Sequence, residues 1–398
     1  PKRMRVRALR CAKDWIVAHL NGEYGLGAIF PAMVNACEAL PLLGSAENDL
    51  HCVQARKALR DLLVTHGGET YCQPCTSPVW DTGLTCLALE EDLRGRRSSE
   101  LERALQWLRR EQLIDAAGDW SQTHPRLRSG GWAFQFSNDW YPDLDDTAVC
   151  AWAMHRFNRD RYETPVKWAA DWLVGMQSRN GGFASFDADN DHLWMNRIPF
   201  ADHGALLDPP TSDVSARVLT LLARLRRPQD DRARDRVMEF LRREQTAEGA
   251  WFGRWGTNYI YGTWSVLTAF AAAGVSTDSP EIRRAVAWLK SRQREDGGWG
   301  ETNDSYFDPA LAGRDTRSSA AQTAWAVLAL VAAGEADGVE AAHGVSWLLC
   351  NQQPNGRWHD VAFNAPGFPR VFYLKYHGYD LYFPYWALAS YRNARERG

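Results

Sequence analysis

The chain has 398 residues, with 46 Lys and Arg against 49 Asp and Glu and a formal net charge of −3. The charges are mixed along it, so no basic block points to nucleic acid and no acidic tail to disorder. The length allows one large or two medium domains, and 19 Trp, 13 Tyr and 15 Phe make an aromatic excess that needs a cause.

The chain opens on PKRMRVR, which leads into a charged helix rather than the apolar core of a signal peptide. WIVAHLNGEYGL (15–26) reads as an eroded repeat, with Leu20 where later copies carry Gln. Of eight cysteines only Cys72-Gln-Pro-Cys75 has ligand-like spacing, and no second pair follows it. Scattered reduced thiols fit that pattern better than a metal or redox site. No apolar run, including TAWAVLALVAAG (323–334), reaches the roughly 18–20 residues that span a bilayer.

From residue 103 a signature recurs. RALQWLRREQLIDAAGDW places Gln112, Gly118 and Trp120, and WAADWLVGMQSRNGGF places Gln177, Gly182 and Phe183. VMEFLRREQTAEGAW, AVAWLKSRQREDGGW and GVSWLLCNQQPNGRW repeat it with Gln245, Gly249, Trp251, then Gln293, Gly298, Trp299, then Gln352, Gly356, Trp358. Each copy reads as a helix, a turn closed by Gly and an aromatic, a loop and a second helix. Ile282, Ala285, Val286 and Leu289 follow the stripe of an amphipathic helix. The second helices, such as SDVSARVLTLLARL and AAQTAWAVLALVAAG, are more uniformly apolar and should be buried. Outer amphipathic and inner apolar helices predict an all-α fold, an (α/α) barrel of helix pairs. The Gln and Trp of each copy read as scaffold. The remaining aromatics crowd the loops 130–142, 181–190, 251–264 and 367–386, which are expected to line a cavity at one end.

Between the first two repeats, WYPDLDDTA sets Asp143, Asp145 and Asp146 within four residues. One reading is a helix N-terminus, with Asp145 or Asp146 as the cap. A second is Mg²⁺ binding, for which DADNDH (187–192) would be a weak partner. The third is a Brønsted acid: crowded carboxylates among aromatics cannot all ionise, so one keeps a proton at neutral pH. An acid in an aromatic box suits carbocation chemistry, because ring faces stabilise cations without attacking them. The pattern points to protonation-initiated cyclisation of a polyene with no cofactor.

DLDDTA, the repeats, SPVWDTG (77–83), GGWAFQF (130–136), WFGRWGTNYIYGT (251–263) and GFP…FYLKY (367–376) together resemble the class II triterpene cyclases of the bacterial squalene-hopene type, over essentially the whole chain. The resemblance implies the terpenoid cyclase toroid, squalene as substrate and hopanoid products, with a cyclase of another polyprenoid or ring count as the alternative. It implies Asp145 as proton donor, tuned by Asp143 and Asp146, with Trp80, Asp81 and Tyr261 around it. Phe134, Phe186 and Trp255 would stabilise cations, and Phe368, Phe372, Tyr376 and Tyr379 would shape the rest of the cavity. It implies one-sided (monotopic) attachment to the cytoplasmic face of the bacterial membrane, pairing of two copies and no metal.

Departures accompany the likeness. Members of the family carry a preceding N-terminal domain, of which residues 1–60 are expected to be a remnant, with the catalytic barrel over 61–398. Where some members pair a His with the acid, WMNRIPF sets Arg197, leaving Arg197, His203 or a water as the expected partner. A prenyltransferase-like barrel would need a zinc set and a basic diphosphate pocket, and the sequence shows neither. Phe30 precedes Pro31 where the family can show Gln, which leaves the final quench and the product open.

Overall fold

The computed structural model describes residues 2–198 and 206–397. Among these, six helices form an inner ring: α4 (Pro78–Leu93), α7 (Leu144–Phe157), α9 (Ser212–Leu225), α11 (Tyr259–Ala272), α13 (Ala320–Ala332) and α15 (Tyr379–Arg395). Each packs on the next, and α15 returns to α4, so the ring closes. Five helices lie outside it: α5 (Ser99–Arg110), α8 (Glu163–Gly175), α10 (Asp231–Glu244), α12 (Pro280–Arg292) and α14 (Val339–Cys350). The expected (α/α) barrel is the observed one.

Side-chain pattern explains the two layers. On α5 only Leu101, Leu105 and Leu108 are buried, one stripe of an otherwise charged helix, and Ser98 caps it by accepting from the Leu101 N–H. On α13 every side chain from Ala320 to Leu330 is buried. Such a helix is stable only with neighbours on all sides, and each large apolar side chain so covered contributes about 1.5–3 kcal/mol.

The repeat works as a clasp. The Gln245 amide donates to Gly249 O at 2.9 Å and to Glu281 O of α12 at 2.8 Å. Gln293 does the same with Gly297 O and Glu340 O of α14. The following Trp then pins the inner layer. The Trp251 indole donates to Leu241 O and its backbone N–H to the Thr263 hydroxyl of α11, while Trp299 donates to Leu289 O and the Thr323 hydroxyl. Gly249 carries φ +105, and a Cβ there would stand 2.6 Å from Arg284 O. In the paired Gly181-Gly182 the positive φ belongs to Gly181; Gly182 is needed because its Cβ would meet the Phe240 ring at 2.8 Å.

Two details differ from the sequence reading. In the first repeat Gln112 donates to Gly130 O and Pro165 O, and the pinned indole is Trp132, on Leu108 O. Residues 113–129, including the one-turn α6 (Trp120–Thr123), stand where the other copies have a three-residue turn, so Gly118 and Trp120 do not occupy the motif. Three two-stranded ribbons also join the helices: β1 (Leu63–His66) with β2 (Glu69–Cys72), β3 (Trp132–Ala133) with β4 (Pro142–Asp143), and β5 (Ala365–Phe368) with β6 (Phe372–Leu374). The second and third shape the loops over the barrel mouth.

The N-terminal helices α1 (Lys2–Ala18), α2 (Phe30–Leu42) and α3 (Leu50–Asp61) form a small separate core around Leu40, Cys52 and Ala55. In the eroded repeat, Leu20 pairs with Leu26 and Gly25 takes φ +70, so the turn survives without the Gln. No described helix is long and apolar enough to cross a membrane.

Candidate active site

The inner helices begin at the end of the barrel where the aromatic loops gather, and a cavity of about 420 Å³ lies there. Its wall includes Asp143, Asp145, Asp146, Trp80, Phe134, Phe186, Trp255, Phe368, Tyr376 and Tyr379. Four sequence-distant segments thus meet at the DLDD motif.

Asp143 is the N-cap of α7. Its backbone is extended and its Oδ1 accepts from the N–H of Asp145 at 2.6 Å and of Asp146 at 3.2 Å. The capping role expected of Asp145 or Asp146 therefore falls to Asp143, because only the residue before the first turn can turn its carboxylate back onto those N–H groups. That frees Asp145 and Asp146 in the first turn. The three are 7 %, 5 % and 1 % exposed, in chain order.

Burial of three like charges pushes all of them toward the protonated form. Asp143 and Asp146 lie well above the ordinary carboxylate range, first through burial and then through their neighbours' charges. Asp145 is pushed up to about 7 by burial, a rise moderated by the guanidinium of Arg217. Asp145 is thus the member of the motif that a cation holds nearest neutrality.

Arg217 is the residue that the sequence reading missed. It projects from α9, with Nε 3.0 Å from Asp145 Oδ1. The contact is ionic, since neither atom meets hydrogen-bond geometry. Arg217 also donates to the Tyr261 hydroxyl and lies over the rings of Trp264, Tyr261 and Trp80, 4.7, 5.2 and 5.4 Å from their centroids. Burial works against its charge, but Tyr261 and Asp145 together with Asp213 outweigh it and raise its affinity for its proton, so it stays charged. The sequence did hold a signal: Arg217 interrupts a helix whose neighbours on every side, Ser212 to Ala223, are buried. Arg197, the expected partner, is exposed on a single 3₁₀ turn (Leu193–Arg197) and does not line the cavity. A helix inside the ring reaches the acid, whereas that exposed turn lies outside the wall. His203 lies outside the described residues.

The other expected residues divide into lining and support. Trp80 donates to the Tyr379 hydroxyl at 2.9 Å, and Tyr379 stacks on Tyr376, centroids 4.6 Å apart. Phe134 meets Tyr376 edge-on at 6.2 Å, and Phe186 meets Trp255 at 6.1 Å. Trp255 is held by its indole on Ser185 Oγ and by Arg254 stacked 4.0 Å from its centroid. Tyr261 stands behind Arg217, outside the wall. Asp81 stands behind too, accepting from Ser77 and Tyr382, with burial raising its proton affinity. Phe372 backs Phe368 at 5.3 Å. Phe30 is 38 % exposed, and its neighbour Ile29 takes the place on the wall. Cys75, in contrast to the exposed Cys72, lines the cavity as a buried thiol. Among the described residues no group of three His, Cys, Asp or Glu side chains could hold a metal ion.

A closed ring of helix pairs, with a buried acid at the wall of an aromatic cavity and an arginine behind it, is the architecture of the helical-barrel terpene cyclases. The chain belongs to the squalene-hopene cyclase family. The family's "Squalene-hopene cyclase C-terminal domain" matches residues 76–393 and its N-terminal domain matches 1–67. A squalene–hopene cyclase of Zymomonas mobilis is 47% identical over the whole chain, and one from Schizosaccharomyces japonicus 49%. The chain spans 62% of the length of each. The type II terpene cyclase MstE of Scytonema superposes with a TM-score of 0.53 at 20% identity, over 80% of this chain and 88% of that one. At that identity the likeness bears on the fold alone.

Proposed function

We propose that the protein cyclises squalene to a pentacyclic hopanoid skeleton, starting with proton transfer from Asp145. The observation that carries this is Asp145 at the wall of the aromatic cavity with Arg217 paired to it from behind. Arg217 faces Oδ1, leaving Oδ2 to carry the proton toward the cavity. The Asp145 O–H breaks as a C–H bond forms on the terminal double bond, and the resulting tertiary cation is attacked in turn by the next double bonds. Arg217 stabilises the carboxylate left behind, and Asp143, held by two N–H groups, fixes the approach. Phe134, Phe186 and Trp255 face the migrating charge without offering a nucleophile. The polyene would be taken from a bilayer by one-sided attachment, a reading supported by the exposed Leu193 and Trp194 in the segment between Phe186 and the wall residue Leu206. Residues 1–60, with their own small core, would be part of a preceding domain.

Incubation of the intact gene product with squalene, followed by mass spectrometry of the lipids, tests the assignment. A pentacyclic product is expected. Cyclised products with fewer rings, or from another polyprenoid only, would replace squalene-to-hopanoid conversion with the alternative cyclase.

A further inference from the structure

A second, smaller chamber of about 190 Å³ adjoins the apolar cavity. Among its lining residues Gln112 and Gln135 are buried, whereas Arg110, Ser137 and Asp139 are exposed. It therefore opens to solvent and narrows to polar side chains. Gln112 spends its amide N–H groups on Gly130 and Pro165, while its buried Oε1 has no hydrogen-bond partner among the described residues. A water needs about 10–15 Å³ of such space and two to four polar groups, so the chamber suits several waters.

Gln135 lines both spaces. Its Nε2 donates to Ala28 O, and its Oε1 accepts from the N–H and hydroxyl of Thr76, at 3.3 and 3.2 Å. Three bonds thus stretch one side chain across the boundary between a solvent-connected chamber and a cavity walled by Phe134 and Tyr376. Resting on the cyclase reading, we infer that Gln135 is a seal that limits the water reaching the carbocation, and so sets the proportion of alcohol to alkene product. When water passes, its oxygen lone pair forms a C–O bond to the cation. The oxonium proton then goes to a second water in the chamber, leaving an alcohol. When no water reaches the cationic carbon itself, a chamber water takes a proton from the adjacent C–H instead, and that bond's electron pair forms the alkene.

The test uses the intact gene product with squalene in H₂¹⁸O. Gln135→Ala should raise the ¹⁸O-labelled alcohol fraction at least about threefold over the parent, because excluded water now enters. Gln135→Leu, which fills the same space without polar atoms, should leave that fraction at or below the parent value. If the alanine variant does not fold, Gln135→Asn, shorter by one methylene, should move the fraction in the same direction. Unchanged alcohol fractions across these variants would overturn the seal. A parent enzyme that consumes no squalene would overturn the cyclase reading itself, which is a separate readout.

Discussion

Arg217 meets Asp145 at 3.0 Å inside a shell formed by Trp80, Tyr261 and Trp264. The rings hold the guanidinium in place by cation–π attraction, and the guanidinium in turn restrains the proton affinity of a carboxyl group that burial alone would drive higher. An acid so poised is protonated around neutrality yet leaves behind a stabilised anion.

Arg217→Met should therefore weaken the acid. On the proposed role Asp145 needs its proton to act, so activity of the parent should fall as pH rises through about 7. Without the arginine, the folded proton affinity rises further and this alkaline limb moves to higher pH. The plateau rate should drop about 10²-fold or more, since a less acidic donor transfers its proton more slowly. A pH–rate profile with an unmoved limb would break the link between the two residues.

The acidic cluster should cost stability at neutral pH. Asp143, Asp145 and Asp146 have folded proton affinities raised above their unfolded values. Folding is then favoured most below the unfolded carboxylate range, near pH 4, and this contribution is lost as pH rises through the folded value, about 7 for Asp145. Asp146→Asn should accordingly raise unfolding stability at pH 8 by about 1–3 kcal/mol, read by denaturant titration, with little gain at pH 4. A loss of stability at pH 8 would mean that the charge is compensated.

The clasps should differ in strength along the barrel. Gln245→Ala removes three bonds, two of them to the next outer helix (to Glu281 O and from Arg284), and should cost about 1–3 kcal/mol. Gln352 is exposed, with one bond to Gly356, so Gln352→Ala should cost less than about 1 kcal/mol. Chemical denaturation of both variants checks the order.

Much of this architecture was legible in the sequence because it is periodic. Amphipathic and apolar helices alternate, and the Gln and Trp recur at each turn, so the barrel and its aromatic mouth follow from local pattern. The cap at Asp143 was less legible, since three carboxylates in four residues leave open which one precedes the first turn until the backbone is known. Arg217 was hidden for a different reason. It lies on the next inner helix, and only the packing of successive inner helices brings α9 beside α7. Arg197 was favoured by sequence position, which says nothing about which side of the wall a loop residue faces. The inserted segment 113–129 misdirected the first repeat to Trp120 for the same reason: a matching spacing occurred before the structural one.

The central claim is that Asp145 delivers the proton that starts the ring cascade. Turnover of squalene by the intact gene product in D₂O tests it most directly, with the product analysed by mass spectrometry and NMR. The account predicts one deuterium on a methylene of the first ring, the carbon derived from the CH of the terminal double bond, and no product from Asp145→Asn, whose circular dichroism matches the parent. Cyclic product from Asp145→Asn at the parent rate, or product without that deuterium, would contradict it.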